Sequence, residues 1–507
     1  MMQSVILSLL VPLIAGMGLI LARSGGLTLQ RTLNLLVTTA LLAMSIASMG
    51  LVADGSQHVY ILGNWQAPFG IVLVLDRLSA LMLLLTAILG LGALWYAVAT
   101  GIDARGQHFH PLFQFQLLGI NGAFLTGDVF NLFVFFEILL IASYGLLLHG
   151  GGRKRTRAGL QYVVINLVGS TLFLFAVGAL YGALGTLNLA DMAARIQELP
   201  AERAGLVASA ALLLLIVFGV KAAMFPLYLW LPGAYARTSA PVAALFAIMT
   251  KVGIYAIIRV HGTLFAEAPG GLVDLVAPWL LITGLVTMLL AAFGVMAARI
   301  LRMQVAYLVL ASIGTLLIAL GLNNQAALAG ALYYLFHSTV VTAGLFLLAD
   351  VIARGRGERG DRFSPAPAMP NAIFVGSLLF AGAISIAGMP PLSGFFGKLL
   401  ILHAALEGPL TAWIYAVILV SSFMIIVAMA RAGTMLFYRT LSTPNEQGVA
   451  TSNTALIPVV ALLAISPLMV LFAHPVHEWM IATAEQLATP TDYIQSVLAL
   501  EPVGGER

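Results

Sequence analysis

There is no cysteine anywhere in the 507 residues. Structural disulfides, thiolate-held metals and iron–sulfur clusters are thereby excluded, and the redox compartment leaves no trace in the sequence. Charge is nearly as scarce. Asp, Glu, Lys and Arg together make up 9% of the chain, where a soluble domain needs about 25% to dress its surface. With 61% of its residues hydrophobic, the chain must have lipid as its main solvent. The net charge of +4 is small, and the basic residues sit in short loops between apolar runs. That is a pattern of membrane topology rather than of nucleic-acid binding. The start, Met1 to Ala22, has no basic leader and no small-x-small cleavage site before Arg23. It reads as a retained span rather than a signal peptide.

Crossing the hydrocarbon core takes about 20 apolar residues in a helix. Runs of that size recur near 4–22, 32–52, 71–99, 111–127, 128–149, 158–184, 204–231, 241–262, 275–298, 304–321, 326–352, 371–405, 412–438 and 454–473. Only the turn around Gly127 and Asp128 separates the fourth from the fifth. The fold class expected is therefore an all-α integral membrane protein of about fourteen transmembrane helices. The basic residues orient it. With both termini outside, the inner loops hold 16 of them: Arg23, Arg31, Arg105, Arg153, Lys154, Arg155, Arg157, Arg237, Arg299, Arg302, Arg354, Arg356, Arg359, Arg362, Arg431 and Arg439. The outer loops keep Arg77, Arg195, Arg203, Arg259 and Arg507, which is 5. An excess of this size supports an even number of crossings.

The three basic residues left over are all lysines, although the chain has only four lysines against twenty arginines. Lys221, Lys251 and Lys398 lie in or near the middle of apolar runs, while arginine serves the loops. Arg stays charged in proteins, whereas a buried Lys can release its proton. A site that must alternate between charged and neutral can therefore use Lys and cannot use Arg. Glu137, in NLFVFFEILLIASYGLLL, is the acidic counterpart, and His337 is the one histidine comparably central. A structural role, gluing helices or snorkelling, is the plain alternative for any single one of these. Five together are harder to assign that way, since each central Lys or Glu costs about 2.5–3.5 kcal/mol to insert.

Prolines interrupt two of the lysine-bearing segments: Pro226 follows Lys221 by five residues, and Pro390 and Pro391 precede Lys398. Proline removes a backbone donor, which is tolerated in a membrane where the opened backbone is buried or lines a wet cavity. Each segment therefore reads as two half-helices. Broken helices at corresponding places in two halves point to inverted repeats and to the transport site. The chain divides accordingly into N-terminal helices over 1–110, a five-helix repeat over 111–262, a second, inverted five-helix repeat over 275–438, and a last helix with a mostly polar tail over 454–507. All belong to a single polytopic membrane domain.

Glu137, the run Lys221-Ala-Ala-Met-Phe-Pro226, Leu231-Pro-Gly-Ala-Tyr235, Lys251 and Gly388-Met-Pro-Pro-Leu-Ser-Gly-Phe-Phe-Gly-Lys398 together carry a resemblance. They resemble the antiporter-like subunits shared by respiratory complex I and the multi-subunit Mrp cation/proton antiporters. Within that family, Met249 to Arg259 and Tyr235 are most similar to the D-type Mrp subunits. The resemblance implies a proton path in which Glu137 and Lys221 form the first pair, Lys251 the relay, His337 the bridge and Lys398 the terminal site. It also implies sodium/proton exchange within a hetero-oligomeric complex of the bacterial inner membrane, with other subunits, protons and monovalent cations (Na⁺, K⁺ or Li⁺) as partners and no cofactor. Two rivals stay open: a proton-pumping subunit of a redox-driven complex, and a non-transporting scaffold. Asp128, Asn131 and Asn166 offer oxygens but make no recognisable cage for a cation, so the metal site is unknown.

Overall fold

The computed structural model describes residues 2–408, 410–442 and 448–499. The ends, Met1 and 500–507, on which the expected orientation of the termini and the count of Arg507 depend, lie outside the described residues. Helices α1 (Met2–Leu21) and α2 (Gly26–Leu51) are followed by an antiparallel hairpin of β1 (His58–Ile61) and β2 (Val72–Leu75). Next come α3 (Arg77–Ala99), α4 (Phe109–Leu125), α5 (Val129–Leu148) and α6 (Arg153–Leu184). A short α7 (Leu189–Gln197) leads to α8 (Ala201–Ala222) and α9 (Trp230–Arg237). The next crossing is pieced together from α10 (Ala240–Phe246), α11 (Met249–Ala256), a π-helical turn over Ile257–His261 and α12 (Gly262–Phe265). Continuous α13 (Ala277–Ala297), α14 (Leu301–Gly321) and α15 (Gln325–Gly355) precede the interrupted unit of α16 (Ala372–Ala387) and α17 (Ser393–Ala404). The chain closes with α18 (Thr411–Gly433), α19 (Asn453–Leu471), α20 (Ala473–Ala488) and α21 (Pro490–Leu498).

Among the described residues, eleven helical stretches are long and apolar enough to cross a membrane, where the sequence predicts fourteen crossings. The difference lies in three places. α1 and α2 follow so closely that they form one stretch of 47 residues. α4 has only 17 residues. α16 and α17, at 16 and 12 residues, are each too short to cross alone.

One other expectation is corrected. The run starting at 71 opens as strand β2, because Asp76 fixes the start of α3 by a capping box. Its carboxylate accepts from Ser79 N at 2.9 Å, and Ser79 Oγ accepts from Asp76 N at 2.8 Å. The polar tail forms amphipathic α20 and α21, which pack on α15 and α7 and bond the loop before β1. Gln486 Nε2 donates to Gly55 O at 2.8 Å, and Ser496 Oγ donates to Gln57 Oε1 at 2.7 Å.

Burial is graded from the centre outward. The stretch Ala240–Phe265 is buried except at Gly262 and Gln325–Gly355 largely so, while α18 and the α1–α2 stretch present large apolar side chains such as Ile14 and Trp413 outward. Lys251 and His337 therefore sit on the two most enclosed helices.

The two breaks match residue for residue. α8 ends at Ala223 (φ 61°) and α16 at Gly388 (φ 80°), both left-handed. Met224 N bonds Gly219 O at 2.8 Å and Ala223 N bonds Val220 O at 3.2 Å. Met389 N bonds Ile384 O at 3.1 Å and Gly388 N bonds Ser385 O at 3.2 Å. Each is a Schellman closure, with Pro226 and Pro391 at the same offset beyond it. Alanine bears the left-handed conformation at 223 at a cost of about 1–2 kcal/mol. At 388 a Cβ would lie 2.8 Å from Lys398 Cδ, so any side chain there would displace the lysine.

Candidate functional site

Glu137 stands half-buried on α5 and accepts a hydrogen bond from Ser170 Oγ on α6. Asn166, one turn from Ser170 on the same helix, accepts from Lys221 Nζ at 3.3 Å through its Oδ1. The ion pairs among the described residues do not include Glu137 with Lys221. The two expected partners are joined through α6 instead. Lys221 also lies 5.7 Å from the centre of the Phe136 ring, within cation–π range. A cavity of about 10 Å³ opens beside Lys221 and Asn166 and reaches Met249 and Val252 on α11, with room for one water-sized body.

Lys251 is fully buried, and its Nζ donates to Ser312 Oγ on α14 at 3.0 Å. α11 lies tightly on α8 because Gly253 has no side chain: a Cβ there would sit 2.5 Å from Ala222 N. That close approach brings the helices of Lys221 and Lys251 together. α14 in turn packs on α15, and α15 on α17. His337 Nδ1 and Ser393 Oγ are 2.7 Å apart, and Ser466 Oγ links Ser393 at 2.8 Å to Ser385 at 2.6 Å. The buried Nε2 has no partner among the described residues, and the missing side chain of Gly394 leaves space beside it. Lys398 Nζ donates to Ala387 O and to Ser422 Oγ, both at 2.8 Å. The carbonyl of Ala387 is at the end of α16, so the broken helix itself supplies a ligand to the terminal lysine.

The row therefore runs α6, α8, α11, α14, α15, α17 across the molecule, with each helix packed on the next. All three lysine amines donate to neutral oxygens. A buried ammonium normally keeps a carboxylate partner. An amine among neutral acceptors can sit there charged or neutral, and a change at one site changes the field at the next.

Asp128 and Asn131, considered as cation oxygens, serve the start of α5. Asp128 Oδ1 accepts from Asn131 N at 2.7 Å, and Asn131 Nδ2 donates to Thr126 Oγ1 at 2.9 Å. Burial raises the Asp128 carboxyl above its ordinary value, against the pull of the Asn131 and Phe130 backbone N–H groups.

Arginine is not confined to water-facing loops. Arg259, expected in an outer loop, is buried and pairs with buried Asp76 at 2.7 Å, with Tyr255 and Tyr493 rings 5.5 Å from its guanidinium. Arg356 is buried too, donating to the carbonyls of Gly360, Arg362 and Ser364. Arg259 has a carboxylate partner and Arg356 bonds three backbone carbonyls, whereas no carboxylate lies among the hydrogen-bond partners of the three lysines.

Likeness to known proteins bears directly on this row. The family model described as NADH:quinone oxidoreductase/Mrp antiporter, TM, matches residues 126–425, which hold all five predicted site residues. A protein of Rhizobium meliloti (strain 1021), named as the D subunit of a probable K(+)/H(+) antiporter, is 40% identical over 99% of this chain and 98% of its own length. The D subunit of the Na(+)/H(+) antiporter of Alkalihalophilus pseudofirmus is 38% identical over 97% of this chain and 99% of its own. Among solved structures, a chain of the Mrp complex from Dietzia sp. DQ12-45-1b superposes with a TM-score of 0.87 at 30% identity, covering 98% of this chain and all of that one.

Proposed function

This chain belongs to the NADH:quinone oxidoreductase/Mrp antiporter transmembrane family, and from that premise we propose that it is the proton-translocating subunit of a multi-subunit monovalent cation/proton antiporter. The whole-length likeness to antiporter subunits of the D type favours this over a redox-driven assembly. The chain is thus a transporter subunit rather than a catalytic one. It crosses the bacterial inner membrane fourteen times, in two inverted five-helix repeats over 111–262 and 275–438, with the arginine-rich loops inside and both termini outside.

One observation carries the proposal: three buried lysines in one row, each hydrogen-bonded to neutral oxygens. In the cycle, Glu137 and Lys221 gate the row. Approach of the carboxylate holds the ammonium charged, and its withdrawal drives the proton on toward Lys251. His337 has two ring nitrogens and can take a proton on one while releasing it from the other. Lys398, held by the broken-helix carbonyl, is the terminal site. The cation crosses with the help of the neighbouring subunits, so the chain alone performs no exchange.

Lys→Arg and Lys→Ala substitutions at positions 221 and 251 test this in the assembled complex. A guanidinium keeps the charge but cannot release its proton. Arg should therefore fail nearly as badly as Ala in proton-coupled cation transport, at normal expression and assembly. Near wild-type transport with Arg at both positions would end the proposal.

A further inference from the structure

Helices α1 to α4 precede the stretch that the family model matches, and they carry a second polar file. At the end nearest the arginine-rich loops, Arg31 holds Asp103 through two hydrogen bonds of 2.6 and 2.8 Å. His110 Nε2 lies 3.1 Å from Asp103 Oδ2, and His110 Nδ1 lies 2.8 Å from Asn34 Nδ2. Asn34 Oδ1 accepts from Gln114 Nε2 at 2.6 Å, and the same nitrogen donates to Thr38 Oγ1 at 3.0 Å.

These contacts set a direction. With Asn34 Nδ2 turned to Nδ1, the complementary tautomer carries the His110 proton on Nε2, facing Asp103. A reversed Gln114 amide would force two carbonyl oxygens together. Gln114 Oε1 is left buried without a partner.

Further along α2, α3 and α4 lies a pocket of about 10 Å³, lined by Ser8, Ser45, Thr86 and Asn121 among apolar neighbours. It can hold one water-sized body. Three of its four polar side chains turn acceptor oxygens to it, and the Ser8 hydroxyl is the fourth. Asn121 Nδ2 is engaged by Ser8 O at 3.1 Å, which leaves Oδ1 buried and unpartnered. Ser45 Oγ donates to Leu42 O and Thr86 Oγ1 to Met82 O, both at 2.8 Å, so each turns only lone pairs to other partners.

We propose that this pocket binds a single dehydrated monovalent cation, Na⁺ or K⁺, through the neutral oxygens of Asn121, Thr86 and Ser45. A lining in which acceptor oxygens predominate favours positive charge over negative. The lack of a carboxylate disfavours Ca²⁺ and Mg²⁺, whereas neutral oxygens suffice to replace the hydration shell of a monovalent ion. The site is one-sided. On the Asp103 side the surface cleft leading to His110 is flanked by Arg23 and Arg105, which repel a cation. Ser45 stands six residues, about 9 Å along the axis, from the end of α2 that lies away from those arginines. The pocket thus reads cation concentration on the face away from the arginine-rich loops, independently of the lysine row.

The test is equilibrium binding of radioactive sodium, and of rubidium in place of potassium, to the purified complex without a pH gradient. S45A/T86V should remove one bound cation per complex. N121D, which puts a carboxylate where the amide oxygen stands, should tighten that site about tenfold or more. Misfolding cannot mimic a gain in affinity, and size-exclusion chromatography checks assembly of both variants. Unchanged stoichiometry with S45A/T86V, or unchanged affinity with N121D, would mean that the pocket takes water only and would overturn the inference. Lys→Ala variants at 221 and 251 should keep this binding even where they abolish exchange, so the two proposals stand or fall separately.

Discussion

Lys221 and Glu137 are tied to the same helix rather than to each other. Asn166 takes the lysine and Ser170 the glutamate, one turn apart on α6. A small rotation or shift of α6 would change both partners at once, so the proposed gate would depend on that helix as much as on the two charges.

Asn166→Ala should therefore impair proton-coupled transport by about tenfold, the equivalent of one hydrogen bond to a charged group. Combined with Glu137→Gln it should cost less than the two separate losses added together. Proton flux in inverted membrane vesicles measures both, with protein level checked by immunoblot. Strict additivity would show that α6 does not link the pair.

Gly253→Ala places a methyl 2.5 Å from Ala222 N and must push α11 off α8. Overpacking of this kind costs about 1–3 kcal/mol. A lower thermal midpoint is expected together with loss of transport, because Lys221 and Lys251 move apart. At Ala223, by contrast, glycine suits the left-handed backbone (φ 61°), and Ala223→Gly should leave the midpoint unchanged or raise it.

Removing Asp76 strands the Arg259 guanidinium in the interior. Asp76→Asn should destabilise by about 3–5 kcal/mol, the usual consequence of leaving a buried charge unpaired. Asp76→Asn with Arg259→Met should recover most of that loss. Thermal unfolding of the purified protein distinguishes the two. No recovery in the double variant would place the effect in the cap of α3 rather than in the ion pair.

Acid should loosen the N-terminal helices first. Burial tends to raise the Asp103 carboxyl, but hydrogen bonds from His110 and Arg31 outweigh it and hold the group below its ordinary value of 3.8. A carboxyl depressed in the folded state contributes stability above that ordinary value and loses it as pH falls through the folded value. The thermal midpoint should drop below about pH 4. Arg31, His110 and His149 face the same group, and burial lowers the His149 value. Asp103→Asn should be less stable at neutral pH and should lack that acid step.

Much of this architecture is legible in the sequence because lipid imposes simple demands: long apolar runs, arginine-rich loops, and charges inside a span only for a purpose. Lys221, Lys251, His337 and Lys398 stand out against such a background, and prolines 226, 390 and 391 mark both breaks. The groups that hold these side chains do not stand out. Asn166, Ser170, Ser312, Ser393, Ser422 and Ser466 are ordinary occupants of apolar helices, since a hydroxyl can bond its own helix. Only the four-residue spacing of Asn166 and Ser170 hints at a shared face. Arg259 escapes a sequence reading for a related reason. It ends an apolar run, where an arginine normally reaches water, and its partner Asp76 lies far away in sequence. The tail after 473 is polar enough to pass for a loop, although the apolar positions of α21 recur at helical spacing.

The break between α16 and α17 also matters before the protein has folded. On an insertion scale, the six large apolar residues of α17 contribute about −3 kcal/mol, which Lys398 alone cancels. Nothing is left over for Ser393, His403 and the glycines, so α17 could not enter a bilayer by its own hydrophobicity. α16 precedes it with a wholly uncharged, more apolar sequence. The first half-helix must therefore draw the second into the membrane. A substitution that makes α16 more polar should appear as a biogenesis defect, with the segment around Lys398 left in water, long before it appears as a defect in transport.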